Sequence, residues 1–495
     1  MSRRASQLKY SRVSQRLVRA ATPAAEPCAC VPLSAIDAHP FVRGMSVTCA
    51  FVYPQPALDV EAMAASLSRT LSRYPVVAGR LRRSRSHEAA FEVTCNNAGA
   101  EFSFFRCDGT VSDFDGYGDS GGGGQHMQPA GNRAPAAFCA RMQPFDSLLS
   151  GNAALAHFRV THLRDGGSIL GFSCSHALAD GASALAFVEA WAAEHAALLT
   201  GCPAALPRFG APVFDREALS AAARVPPELP ASTVANTAAG RARMAALAAR
   251  ITLRSLAGRG RKVVVDALRP TATFVVPLSS ELIARARAAA PGTSANDVAV
   301  GISWALLCAV RHRGSKSPLL GESHALMQTA DLRRYLPGLP ASFFGNCSWG
   351  VLVTAQPGAR SPLQLAAACR AAMAEFCDSA LLFEQLDGLL RPHAGASWSA
   401  LRQAVLPAFC DGVFSSWNWP PLWAIRFGGA TPVWISGNIF PATPWGFQLL
   451  AGRPDQPGLL LMGTCPRSKL EHVKAAASSI LEALRFEAES SPSAA

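Results

Sequence analysis

A chain of 495 residues with 49% hydrophobic and 16% charged side chains has ample material for a globular core in more than one unit, and is too apolar to be disordered. No apolar run approaches the roughly 18 residues that a membrane helix needs, so an integral membrane segment is not expected. A formal charge of +12 and a pI near 9.3 invite an anionic partner, but no nucleic-acid motif accompanies the charge, which leaves an anionic small molecule or an ordinary solvated surface.

Residues 1–22 carry Arg3, Arg4, Lys9, Arg12, Arg16 and Arg19 and no acid, a composition shared with organelle-targeting extensions. The 14 cysteines, Cys28 and Cys30 included, are scattered with no zinc-like spacing. They read as free thiols of a reducing compartment, and no metal site is expected. Asp59 is a plausible helix cap; Val60, Met63, Leu67 and Leu71 then give one apolar face until Pro75 ends the helix. Residues 109–135, with four consecutive glycines at 121–124, read as a surface insertion.

Residues 157–163 and 168–175 are β-branched, strand-like segments joined by Asp165, Gly166 and Gly167, a hairpin signal. The hexad His176-Ala177-Leu178-Ala179-Asp180-Gly181 follows directly. Leu185, Val188, Trp191, His195 and Leu198 then recur at helical spacing, so Asp180 sits near a helix N-terminus, where unpaired N–H groups favour a carboxylate. His176 reads as a general base with one ring nitrogen free, and Asp180 as a shape-keeping residue. A histidine beside an Asp and a Gly is more often a satisfied turn residue, so the hexad alone does not decide.

Residues 201–270, rich in Pro, Ala and Arg, read as a crossover linker; their basic stretch 241–261 is a solvated face or a helix grazing a membrane, the former being the commoner case. Residues 272–277 read as a strand, and a helix starts at Ser280 and closes at Pro291 and Gly292. Ser294, Ala295, Asn296 and Asp297 have capping-box spacing before a helix at 298–310 that is apolar almost all round. His324 and His393 show no ligand pattern. Trp417, Trp419, Trp423 and Trp434 are either an aromatic wall or core. A last helix over 468–486 has Leu470, Val473, Ala477, Ile480 and Leu484 on one face.

The hexad, together with Leu33-Ser34-Ala35-Ile36-Asp37, the run Pro75 to Leu81, Asp331-Leu332-Arg333, Phe344-Gly345-Asn346 and Ser415-Ser416-Trp417, occurs in the order found in the BAHD acyl-CoA-dependent acyltransferases. The chain resembles that family over nearly its whole length. In this light residues 8–17, followed by Thr22 and Pro23, are similar to the family's first strand, a reading preferred over targeting. The resemblance implies an α/β, two-lobed chloramphenicol-acetyltransferase-like fold, each lobe a mixed β-sheet with flanking helices. The lobes would span 1–200 and 271–495, with 201–270 as linker and the active site at their interface.

It implies an acyl-CoA co-substrate, no permanently bound cofactor, and a small alcohol or amine acceptor, handled by a cytoplasmic monomer of secondary metabolism; no cluster of acids in the sequence marks a polyamine pocket, so the alcohol is preferred. His176 would be the catalytic base, and Ser415 and Trp417 would meet the acyl group and its oxyanion. Ser294, Asn296, Phe344, Gly345 and Asn346 would line the coenzyme A channel. Related peptide-synthetase condensation domains carry a second histidine before the hexad; Ser175 stands there instead, which favours a free thioester donor. The family's D-F-G-W-G-K-P falls on residues 426–432, where Arg426 replaces the Asp expected to pair with Arg333. Two like charges cannot share a buried site without other partners, so either Arg333 finds another carboxylate, with Asp331 and Asp411 as candidates, or the local backbone differs from that of the family. That degraded segment motivates one rival: a non-catalytic CoA- or lipid-binding partner with the same fold.

Overall fold

The computed structural model describes residues 8–23, 29–85, 89–114, 138–205, 208–224, 271–311, 325–354, 361–378, 382, 386, 410–437 and 445–489. Cys28, His324, His393, the basic stretch 241–261 and most of the expected insertion and linker lie outside them.

Two mixed six-stranded sheets organise the chain. The first runs β1 (Tyr10–Val18), β6 (Ala100–Cys107), β7 (Ala156–His162), β8 (Ser168–Ser175), β3 (Ser46–Tyr53) and β13 (Trp434–Gly437), with β6 and β7 parallel and the other neighbours antiparallel. The second runs β11 (Ser348–Thr354), β10 (Ala325–Asp331), β12 (Gly412–Trp417), β14 (Gly446–Ala451), β15 (Gly458–Pro466) and β9 (Thr271–Ser279), parallel at β10–β12–β14. A small third sheet joins β2 (Cys30–Pro32), β5 (Phe91–Thr94) and β4 (Arg80–Arg83). The fold is α/β and two-lobed, each lobe a mixed sheet with helices against it. β13 comes from the second half of the sequence yet pairs with β3 of the first lobe, so the chain crosses back between lobes.

Several helices begin where the sequence supplies a side-chain acceptor for otherwise unpaired N–H groups. Asp59 caps the Val60–Arg73 helix through Glu61 and Ala62, and Asp180 caps the Gly181–Thr200 helix through Ser183. These two helices pack in the first lobe: the Trp191 indole N–H donates to Ser66 Oγ at 3.0 Å, and Ser66 also meets His195 Nδ1 at 3.1 Å. His195 is therefore a satisfied core histidine. In the second lobe Ser294 and Asp297 form the expected reciprocal capping box, with Oδ2 of Asp297 accepting from Ser294 N and Oγ, both at 2.8 Å. The Ala295–Arg311 helix that follows is buried between Pro362–Asp378 and Leu470–Glu489, as its all-round apolar character requires. Val473, Ala477 and Leu484 face that core.

The hairpin expected around Gly166 is β7 and β8, in register from Ala156 opposite Cys174 to His162 opposite Ser168. β8 is buried along its whole length and ends at Ser175, so His176 emerges from the middle of a rigid sheet. No helix among the described residues is long and apolar enough to cross a membrane.

Candidate active site

A cavity of about 930 Å³ opens between the lobes. Its walls carry His176, Gly181, Ser294, Asn296, Phe344, Ser415, Trp417 and Trp419, drawn from both halves of the sequence.

His176 is half-buried at the end of β8, its backbone N–H donating to Met45 O at 3.1 Å. Its Nδ1 lies 2.9 Å from Oδ1 of Asn346. The orientation of that amide follows from its other contacts: Nδ2 donates to His176 O and to Asp37 Oδ1, both at 2.7 Å. Both neighbours are acceptors, so the nitrogen must face them and the oxygen must face the ring. An oxygen there requires the proton on Nδ1, which leaves the Nε2 lone pair unused. Burial lowers the proton affinity of His176 below the ordinary 6.5, while Asp180, the Asn346 hydrogen bond and Asp37 oppose that shift. The imidazole is therefore neutral at neutral pH.

Asp180 is fully buried and does not touch the imidazole by any hydrogen bond described. Its Oδ1 caps the following helix at Ser183 N (2.9 Å), and Oδ2 accepts from Cys347 N (2.8 Å). Both oxygens also receive Arg333, at 2.9 and 3.2 Å. Burial works to raise this carboxyl's pKa, but Arg333 and the two backbone N–H groups outweigh it, so Asp180 titrates below its usual range.

Arg333 and Arg426 do not face each other, and Arg333 finds other carboxylates. Arg333 answers Asp180 and, at 2.9 Å, Asp331, and donates further to Ser183 Oγ and to the carbonyls of Phe343 and Gly345. Arg426 is exposed elsewhere. Of the two carboxylates proposed for Arg333, Asp331 is a partner and Asp411 is not among its contacts; the principal one, Asp180, lies 153 residues away. A buried guanidinium surrounded by oxygen acceptors in this way has its donors satisfied, which is what allows the pair to be buried.

Asp37 is the organising residue that sequence reasoning left without a role. Fully buried, it accepts from Asn346 N (2.9 Å) and Nδ2 through Oδ1, and from Ser34 and Arg216 Nε (2.9 Å) through Oδ2. Arg216 also donates to Phe344 O at 2.6 Å. Its guanidinium lies where a side chain at position 345 would go: a Cβ on Gly345 would come within 2.7 Å of Arg216 Cζ. Gly345 and Asn346 thus stand behind the cavity wall and hold it, whereas Phe344 reaches the wall itself. Arg216 was missed because it lies in a stretch with no periodic pattern. The only sequence signal was the Asp215 cap beside it.

Gly181 has a steric reason to be glycine. A Cβ there would sit 2.9 Å from Trp417 Nε1 and Cε2, so the indole lies flat on the first turn of the helix. Trp417 ends β12, beside Ser415, whose Oγ receives Thr329 Oγ1 at 3.4 Å. The four tryptophans divide between the two fates expected for them. Trp417 and Trp419 line the cavity; Trp423 donates to Ala451 O at 2.9 Å, and it and Trp434 are core. Ser294 and Asn296 also line the cavity, together with Arg370, which pairs with Asp297 at 2.8 Å.

A model of the transferase family matches residues 11–479. Putrescine hydroxycinnamoyltransferase 1 of Oryza sativa subsp. japonica is 27% identical over 429 residues, 83% of this chain and 86% of that protein. Among solved structures, vinorine synthase superposes with a TM-score of 0.61 at 16% identity, covering 95% of this chain and 98% of the other. TRI101 of F. graminearum, crystallised with coenzyme A and deoxynivalenol, gives 0.58 at 13% identity, over 90% of this chain and 97% of its own. The fold is shared with both, and with the family match running through nearly all of both lobes, the chain belongs to the BAHD family of acyl-CoA-dependent acyltransferases.

Proposed function

We propose that this acyltransferase moves an acyl group from an acyl-CoA thioester directly to a hydroxyl or amine of a small acceptor, with His176 as general base. The observation that carries the reading is the Asn346 amide, whose contacts leave Nε2 of His176 as the free, basic nitrogen. The acceptor's O–H or N–H loses its proton to Nε2 as the nucleophile attacks the thioester carbonyl. The tetrahedral intermediate then collapses, breaking the C–S bond, and the imidazolium returns the proton to the departing CoA thiolate. No acyl-enzyme is needed.

Ser415 Oγ and the Trp417 indole N–H border the same cavity as His176 and are the donors available to the oxyanion, a role that contributes about 3–4 kcal/mol where it has been removed by mutation. Ser294, Asn296 and Phe344 form wall on which the CoA arm lies, and Arg334 and Arg370 at that wall suit its phosphates. Coenzyme A enters as co-substrate, as the coenzyme A complex of TRI101 also supports. Asp180, Asn346 and Asp37 act through His176 by fixing its loop. The similarity to a putrescine hydroxycinnamoyltransferase supports an amine as well as a hydroxyl nucleophile.

The test is thiol release from a panel of aliphatic and hydroxycinnamoyl-CoAs with pooled alcohols and amines, wild type against His176→Ala. Acceptor-dependent release that the substitution abolishes supports the reading. CoA-thioester binding without release from either protein would favour a non-catalytic binding role.

A further inference from the structure

Ser415 and Trp417 stand two residues apart on β12 and therefore share one face of that strand, the face that borders the cavity. Both offer a donor to an oxyanion, but they differ in how firmly they aim it. An indole N–H points where its ring points. A serine hydrogen swings about the Cβ–Oγ bond and settles on whatever acceptor lies within reach, so this donor can be lost to a neighbour before the reaction begins.

The adjacent strand decides where that hydrogen goes. β10 and β12 are parallel neighbours inside the second sheet, with Met327 level with Val413 and Gln328 with Phe414, which brings Thr329 level with Ser415. Both residues are half-buried on the cavity wall. Thr329 Oγ1 donates to Ser415 Oγ at 3.4 Å, a long bond between hydroxyls that the sheet holds side by side. A hydroxyl has one hydrogen and two lone pairs. Ser415 accepts through a lone pair, so its own hydrogen is unspent, and the described contacts include no acceptor for it. Accepting also makes Ser415 a stronger donor, because linked hydrogen bonds polarise one another. The branched Cβ of threonine restricts the rotamers of the hydroxyl that does this.

We propose that Thr329 is a positioning residue for acyl transfer. By donating to Ser415 it keeps the Ser415 hydrogen directed into the cavity, where it meets the thioester carbonyl oxygen as that oxygen becomes negative. A donor fixed and unspent before the reaction needs no reorganisation during it. Thr329 itself does not touch the reacting atoms. The inference rests on the reading of Ser415 as an oxyanion donor and deepens it.

The test is a double-mutant cycle on the full chain, using the acyl-CoA and acceptor that give the fastest thiol release in the panel, with an unfolding midpoint recorded for every variant. Thr329→Val removes the hydroxyl at nearly constant shape and should lower kcat about three- to tenfold, the weight of one neutral hydrogen bond, with KM for the acyl-CoA within about twofold. Thr329→Ser restores the donor and should bring kcat back to within about twofold of wild type. Ser415→Ala should cost on the order of 10²-fold, and adding Thr329→Val to it should cost nothing further, because the relay has already lost its end. Thr329→Ala gives the same reading should the valine variant fail to fold. A Thr329→Val loss that persists undiminished in the Ser415→Ala background would overturn the inference, as would a loss carried by KM alone. Slow Ser415→Ala beside an unaffected Thr329→Val sinks the inference and leaves the oxyanion reading standing. Wild-type kcat in Ser415→Ala, or no release by wild type from any pair, sinks that reading and the inference with it.

Discussion

Both amide hydrogens of Asn346 go to oxygen acceptors, so its oxygen can only accept from the His176 ring, and the tautomer follows from three distances. Replacing Asn346 with Leu removes that constraint while keeping the branching of the side chain, and should lower kcat on the order of 10²-fold, within the range a general base contributes. Stopped-flow or steady-state thiol release measures it. The pH profile offers a second check. His176 is held below 6.5 chiefly by burial, so the acid limb of kcat/KM should fall below 6.5, with activity lost as the pH drops and Nε2 becomes protonated. The Asn346 hydrogen bond raises the proton affinity of His176, so in Asn346→Leu the limb should move to still lower pH. A limb that stayed fixed would mean that another group titrates there. The histidine and its hexad were legible because they stand between a strand-like run that follows a hairpin signal and a helical repeat. The clamp was not, because Asn346 reads in sequence only as the end of a loop motif.

At the scale of elements, the N-terminus of the Gly181–Thr200 helix is where backbone, charge and substrate wall meet. Asp180 caps the helix and neutralises Arg333, so Asp180→Ala leaves a buried guanidinium without its main counter-charge. The expected loss is about 3–5 kcal/mol, the usual consequence of breaking one side of a buried pair, read as a lowered urea midpoint together with lost activity. Gly181→Ala probes a different property. Its new methyl would press on Trp417 at 2.9 Å, so it should impair donor or acceptor binding at a stability cost of about 1–3 kcal/mol, below that of Asp180→Ala. Helix starts were readable because caps are local chemistry: Asp59, Ser294 and Asp297 bond to N–H groups two or three residues away. Arg333 has the Asp331 partner its sequence offered, but its principal partner was missed for the converse reason. That partner lies 153 residues distant, and no spacing rule reaches that far.

For the whole molecule, the two lobes are fastened at the site itself. Asp37 from the first sheet's side holds Asn346, 309 residues away, and Asp180 holds Arg333 of the second. β13 then returns to cover the edge of β3. A fragment ending near residue 224 would expose that edge and leave Asp37 and Asp180 without their partners, so it should aggregate or run as a mixture on size exclusion where the full chain gives a single species. The order of motifs along the chain conveyed the two-lobed architecture, whereas the fastening between lobes is visible only in three dimensions. The measurement that tests the central claim most directly is acceptor-dependent thiol release from acyl-CoA by wild type, His176→Ala and Asn346→Leu side by side. The account predicts abolished release in the first variant and strongly reduced release in the second, with CoA-thioester binding retained in both. Wild-type turnover by His176→Ala would contradict it.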